Sequence, residues 1–596
     1  MNLIVPHTGA LHPSDARLVR LAQFLGVSYE PLFLARRVQE FASYVDRTVQ
    51  EARSCFVVNP EVIREWTGGV FPRELSSCLT SRFPFLLVHS LDSNPFCADV
   101  VNGLSSARAH SVRPIPQTGQ MYRITENCRD VCGAFSGVTF GPANIENDYI
   151  LDLNNDGDDV RTLISISDEP FMVAMKNDES EIFFIAGSDT ADVNEEVGGA
   201  PLSDYFSRFI PQAMALRYMF HDQCWHPREH YASITIDDPL LHPNYGFLNF
   251  ESLLRLMKEY DLCATVAFIP NNYRRSANGI VQMFQENRDR LAICFHGNDH
   301  TEKELASSET TRLNTMIGIA ETRMSIHRQA TGLHCHKVMV FPQEYFSVEA
   351  MKVLKSHNFC AAVSSMTHPA HCQIALTVGE LAQPAVLRYG GFPLFIRRYI
   401  REIKRQDIAF NLFFGRPVLI VEHHDIFKRP EALLELALTV NETAQDIRWC
   451  DLETAVSESV LTRIMPDGSN QIRGYSGTVK IANNGRSIQC YSVEWSHLNE
   501  GPSLENVLQG GSPIHSYEID ESRIRVALEL DPGKSQTVSL TYRNDYATML
   551  SLGLGWNARA YLRRRLSEVR DNYISKSRLA MSLARVLQKH LLFGSL

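Results

Sequence analysis

Apolar and polar positions alternate with a period of two along residues 232–237, where Ile234 and Ile236 recur on one face, and the run stops at Asp237, Asp238 and Pro239. The pattern predicts a strand that delivers two adjacent carboxylates at its carboxyl end, where layered α/β folds and barrels gather their site-building loops. A capping or turn Asp-Asp ahead of a helix near Asn249 is the competing reading. Residues 291–295 form another short apolar run, leading into His296-Gly297-Asn298-Asp299-His300, and 418–421 lead into Glu422-His423-His424-Asp425. Around these, 250–260 reads as an amphipathic helix with Leu253, Leu254 and Met257 on one side. Strands are expected at 264–269, 338–341 and 361–364, and helices at 310–328 and 348–356. The alternation predicts a mainly parallel α/β barrel with its site at the carboxyl ends of the strands.

The flanks have different textures. Residues 1–225 read as an accessory α/β domain, with a strand at 2–5, a helix capped by Ser14 that carries Leu18, Leu21 and Leu25 on one face, a buried strand at 83–89, and a hairpin around 176–180. This part resembles the flavodoxin-like domains of the glutamine-amidotransferase type, without a recognisable nucleophile. Residues 466–470 read as a linker, and the spaced short strands of 466–550 as a β-sandwich. From about 558 to 590, within a terminal segment 556–596, the pattern returns to a helix, with Leu562, Leu566, Val569 and Tyr573 on one face. Between Leu562 and Leu592 eight Lys or Arg stand against Glu568 and Asp571, a local +6 beside −16 for the rest. Such a helix suits either an anionic membrane surface or this protein's own acidic body.

With 596 residues and 44% hydrophobic content, the chain can bury several cores, and its net charge of −10 argues against general nucleic-acid binding. The 13 Cys are scattered through apolar runs, which suits buried thiols in a reducing compartment. The first residues show no signal-peptide pattern and no run is long enough to span a bilayer, so the expectation is a cytoplasmic protein, with peripheral contact at the inner membrane through the last helix as an extension. Asp152, Asn154 and Asp156 have the oxygen spacing of a calcium loop, but Leu163 stands where a bidentate Glu is needed, so a polar turn is preferred. His334 and His336 could share one face of an extended segment; a solvated strand entrance is preferred to a second metal site.

Two imidazoles and one carboxylate can hold a divalent metal and leave a position for water and substrate. The order TIDDP, HGNDH, then an apolar strand into Glu422-His423-His424-Asp425 resembles the polysaccharide deacetylase superfamily (NodB-like, carbohydrate esterase family 4), over roughly 226–455. That resemblance implies a distorted (β/α) barrel, a divalent metal (zinc first, cobalt or nickel as alternatives) held by Asp238, His296 and His300, Asp237 as general base and His424 as general acid. His423 is the rival for the last role, because a strand turns only one of two neighbours inward. It further implies hydrolytic removal of N-acetyl or related groups from an amino-sugar-containing glycan or glycoconjugate.

Two features of that family are out of place. The third motif corresponds at best to Val340-Phe341-Pro342-Gln343, without its Arg, and Lys337, Arg388 and Arg397 are the candidates to replace it. The five Trp, at 66, 225, 449, 495 and 556, all lie outside 226–448, where the fourth motif would have one. A catalytically weakened glycan-binding or scaffold protein is therefore the alternative, ahead of a two-carboxylate glycosidase, which leaves the histidine pair without a purpose.

Overall fold

A computed structural model describes residues 2–34, 41, 54–105, 109–153, 160–177, 179–198, 201–301, 303–372, 374–496, 501–549 and 554–576. In the amino-terminal part, five parallel strands lie in the order Tyr29–Phe33, Leu3–His7, Cys55–Val58, Phe85–Val88, Ser180–Ile185, and an antiparallel extension continues through Glu169–Asn177, Val160–Ile166, Tyr122–Ile124 and Thr139–Phe140. The helix Pro13–Phe24 is capped by His12, whose ring accepts from the Ser14 backbone N–H, and not by Ser14, which lies inside the first turn. Residues 154 to 157 of the calcium-like loop lie outside the described residues.

Seven parallel strands close into the central barrel, in chain order His230–Asp237, Ala264–Phe268, Leu291–His296, Cys335–Val340, Ala361–Ser364, Leu394–Tyr399 and Val418–His423, the last pairing back to the first. Alternation along the first strand turns Ile234 and Ile236 out to the helical layer, where they pack with Leu253, Met257, Leu313 and Leu433. Ser233, Thr235 and Asp237 take the inward parity and are buried. The apolar residues that mark the first strand in the sequence thus hold the helices, while inside the barrel its Ser233, Thr235 and Asp237 meet apolar side chains of the other strands, among them Val338, Val340, Val363, Phe395 and Leu419. At the amino-terminal end the barrel is closed by Tyr231, Leu452, Ala455 and Val456, with the Leu452 N–H donating to the Thr265 hydroxyl at 2.9 Å.

The barrel and the amino-terminal part share one apolar core. Ala409, Phe410, Phe413 and Phe414 of the barrel's Arg405–Phe413 helix and its end join the amino-terminal cluster, with Phe209 stacked on Phe414 at 5.3 Å. Each such buried ring contributes about 1.5–3 kcal/mol relative to exposure. At the other end a six-stranded and a four-stranded sheet face each other across Ile472, Val493, Val526, Val479, Val507 and Val538. Residues 466–470, expected as a linker, are instead the turn of an antiparallel hairpin between Leu461–Ile464 and Asn470–Gly474, and His226–Pro227 pairs at that sheet's edge. All thirteen cysteines are free and eleven are buried. Among the described residues no helix is long and apolar enough to cross a membrane.

The carboxyl-terminal helix is described over Leu554–Asn572, followed by a short turn at Ile574–Lys576; residues 577–590 of the expected helix lie outside the described residues. It lies on the protein body, across the carboxyl end of the barrel.

Candidate metal and hydrolytic centre

The first strand ends as the sequence pattern predicts, but its two carboxylates diverge. Asp237 is the last strand residue and points inward; Asp238 follows with a left-handed backbone, φ 80°. His296 ends the third barrel strand, and His300 is reached through a loop, not a helical turn, with Gly297 at φ 61° and His300 at φ 55°. The two rings, four apart in sequence, are therefore brought together by loop geometry. Two non-glycine ligand-type residues in this region store about 1–3 kcal/mol of strain each, which the surrounding contacts must offset.

Glu304 supplies much of that offset. Its carboxylate accepts from the backbone N–H groups of Asn298, Asp299 and Thr301 and from the Thr301 hydroxyl, at 2.7 to 3.2 Å. Burial pushes this carboxyl up, against those donors. A Cβ on Gly297 would stand 1.9 Å from Glu304 Oε1, so the loop needs glycine there for space as well as for its dihedral. Arg323 adds bonds to Asn298 and Asp299 at 2.6 and 2.7 Å.

The resulting cluster is Asp238, His296 and His300, with one ligand-capable atom from each, all within 4.8 Å of one another. His296 Nε2 and His300 Nε2 lie 3.3 and 3.1 Å from Asp238 Oδ1, yet that oxygen is buried without a hydrogen bond. Three converging donors around an unsatisfied buried oxygen fit a divalent cation. His296 Nδ1 lies 3.1 Å from the Val340 carbonyl, and donation there leaves Nε2 as the lone-pair nitrogen. Burial lowers His300 to about 4, so its ring is neutral near pH 7, the form a metal requires. Burial opposes ionisation of Asp238, but His300 and His296 outweigh it and hold the carboxyl well below the usual range.

Asp237 has its own partner. Arg397, on the Leu394–Tyr399 strand and 1% exposed, donates from both terminal nitrogens to the two Asp237 oxygens at 2.8 and 2.7 Å, and to Glu344 at 2.7 Å. Of the three candidate cations only this one reaches the centre; Lys337 pairs with Glu321 and Arg388 with Glu380. Burial raises the Asp237 carboxyl, but Arg397, with His296 and His423, brings it below the ordinary value.

The adjacent histidines part company. His423 is register partner to Asp237 on the neighbouring parallel strand, so both side chains take the same face, and its Nε2 lies 3.9 Å from Asp238 Oδ2. Tyr399 stacks on it at 6.0 Å, with an interplanar angle of 4°. His424, the residue placed first from the sequence, begins the next turn. It is buried between Tyr245 and Phe247, with Nε2 3.7 Å from Asp571. A Cβ on Gly246, at φ 58°, would stand 2.2 Å from its Nδ1. The inward place therefore belongs to His423.

The carboxyl-terminal helix completes the rim. Arg564 donates to the Asp238 backbone carbonyl at 3.0 Å, Tyr245 donates to Asp571 at 2.8 Å, the Gly246 N–H donates to Asn572 at 2.8 Å, and Arg275 holds Glu568 through two bonds. Trp556, from outside 226–448, donates to Asp299 at 2.8 Å and packs against the helical layer, so it braces the loop between His296 and His300. The sequence reading assigned none of Glu304, Glu344, Arg564 or Asp571 a role. A usable signal existed for the helix alone: its two acids, Glu568 and Asp571, are three apart and share one face. His336 meets Asp451 at 3.1 Å near the opposite end of the barrel, and the only cluster of metal-ligand type among the described residues is the one above.

No family model and no curated protein matches this chain. Solved structures similar to it include a family 4 carbohydrate esterase from Streptomyces lividans in complex with acetate (12% identity, 38% of this chain and 92% of that one, TM-score 0.22). A family 4 acetyl xylan esterase from Clostridium thermocellum in complex with a cobalt ion is similar at 14% identity, over 37% and 88%, with a TM-score of 0.24. The catalytic domain of a peptidoglycan N-acetylglucosamine deacetylase from Eubacterium rectale is similar at 14% identity, over 39% and 91%, with a TM-score of 0.21.

Proposed function

We propose that this chain is a metal-dependent hydrolase that removes N-acetyl or related acyl groups from an amino-sugar-containing glycan or glycoconjugate. The observation that carries the reading is the Arg397-held Asp237 carboxylate beside the Asp238, His296 and His300 cluster. A divalent cation held by those three residues, zinc in the first instance, would polarise the acyl carbonyl and lower the pKa of water.

Asp237 is the base. Arg397 keeps it ionised, and each of its oxygens retains a lone pair after accepting from the guanidinium, so it can take the proton of the attacking water. Attack forms the new C–O bond, and the C–N bond breaks as His423 delivers a proton to the departing nitrogen. The products are a carboxylate and a free amine. The sequence alternative, a weakened glycan-binding protein, rested on the missing Arg and Trp, and Arg397 weakens the first of these grounds.

Metal content and acetate release from mixed N-acetylated glycans test the proposal on wild type and His296→Ala together. About one metal per chain and acetate from the wild type alone is the expected result. A wild type without metal after supply of zinc, cobalt or nickel, or metal-loaded and silent on every acylated glycan, overturns it.

A further inference from the structure

The carboxyl-terminal helix is amphipathic in the reverse sense to a helix packed on a protein core. Its inner face is polar: Arg564, Glu568 and Asp571 are buried against the barrel rim. Its outer face is apolar, with Leu562 and Leu566 each 60% exposed, Val569 47% and Tyr573 74%. These four recur at spacings of four, three and four, which is one continuous stripe on a helix. The inner contacts already fix the helix by polar bonds, so the stripe plays no part in holding it.

The charges beside the stripe say what covers it. Arg559, Arg563 and Arg570 follow one another at four and seven residues along one flank, and Arg565 lies on the other; Arg559, Arg565 and Arg570 are exposed. An apolar stripe with three arginines on one flank and one on the other matches an interface of acyl chains and anionic headgroups, although Arg570 also meets Asp571 at 2.7 Å and Arg565 meets Glu568 at 3.5 Å. A second copy of the chain would bring these arginines against its own, which opposes pairing through this face.

We infer that the outer face of this helix binds an anionic lipid surface. Because the same helix spans the carboxyl end of the barrel, binding turns the Asp237 and Asp238 end of the molecule to the bilayer. Taken with the hydrolysis proposed above, and resting on it in this one respect, the substrate is a glycan held at a membrane surface.

Sedimentation of the full chain with vesicles of phosphatidylcholine alone, or with 30% phosphatidylglycerol (about one lipid in three, enough for a polybasic attraction), tests the contact without reference to hydrolysis. The expected result is binding to the anionic vesicles only, reduced at least tenfold in Leu562→Ser/Leu566→Ser and at least tenfold in Arg559→Gln/Arg563→Gln. All four positions lie off the buried face of the helix, and unchanged metal content and thermal unfolding confirm that each variant is folded. Wild type that stays in solution with anionic vesicles, or serine variants that bind as well as wild type, overturn the inference. Dimerisation abolished by the serine changes, without vesicle binding, also overturns it in favour of a second copy.

Discussion

Arg397 and Asp237 meet through two bonds of 2.8 and 2.7 Å inside the barrel although 160 residues separate them. Both are almost wholly buried, and Arg397 also meets Glu344, so its removal leaves two carboxylates without their cation. Arg397→Met is expected to cost about 3–5 kcal/mol of stability, measured by denaturant unfolding. It should also abolish turnover while leaving metal content intact, since Asp238, His296 and His300 do not contact Arg397. Arg397→Lys cannot restore a two-point bond and should recover only part of the loss. An Arg397→Met protein as stable as wild type would show that the pair is dispensable.

The two adjacent aspartates should separate functionally. Asp238→Asn is expected to lose metal and activity together, because it supplies the oxygen between the two imidazoles. Asp237→Asn should retain metal and lose about 10²–10⁴ in kcat, the usual weight of a general base. Metal analysis beside initial rates decides; turnover retained in Asp237→Asn would remove it from the role of base.

Neighbouring histidines give a second separation. His423→Ala should lower kcat by about 10²–10⁴ with metal content retained, measured by initial rates beside metal analysis. His424→Ala should act on the helix, through the lost Asp571 contact, and appear first as faster proteolysis within residues 554–576. Equal effects of both changes on kcat, with no change in proteolysis, would contradict this division.

Lys355 predicts a pH dependence of stability. Burial lowers its ammonium from the ordinary 10.5 to about 8, at a position where it donates to the Gly390 carbonyl at 3.3 Å and lies over the Tyr542 ring at 4.6 Å. Between pH 8 and 10.5 the unfolded chain binds more protons than the folded one, so stability rises with pH across that window. Lys355→Met should be more stable than wild type at pH 7, by up to about 3 kcal/mol, and the advantage should shrink towards pH 10.5. Thermal unfolding at pH 7 and 10 measures it, and an advantage that stays constant would argue against this titration.

The barrel was legible because its strands and helices alternate with distinct periods, and because Asp237, Asp238 and His296 sit at or just past strand ends, with His300 close behind in the same short motif. Register was not legible. Whether His423 or His424 faces inward depends on which residue pairs with Asp237, and that pairing is set by strand closure across 186 positions. Arg397 could be named only as one of three cations, since its selection depends on strand parity and on Glu344 beside it. The turn at 466–470 looked like a linker because Pro, Asp, Gly, Ser and Asn serve loops of either kind. For the helix that completes the rim, the pattern left open an anionic surface or the protein's own body, because an apolar stripe and a charged face are equally legible whichever one turns inward; the Arg564 and Asp571 contacts turn the charged face in.

That rim has a consequence for how the molecule is made. Tyr245 is joined to Asp571, and Asp238 to Arg564, across 326 positions in each case. During synthesis the seven barrel strands are complete once residue 423 has emerged, well before the helix that meets them exists. For that interval Tyr245, Gly246 and the Asp238 carbonyl stand without their Asp571, Asn572 and Arg564 partners, so the rim beside the centre is the last part of the barrel to be completed.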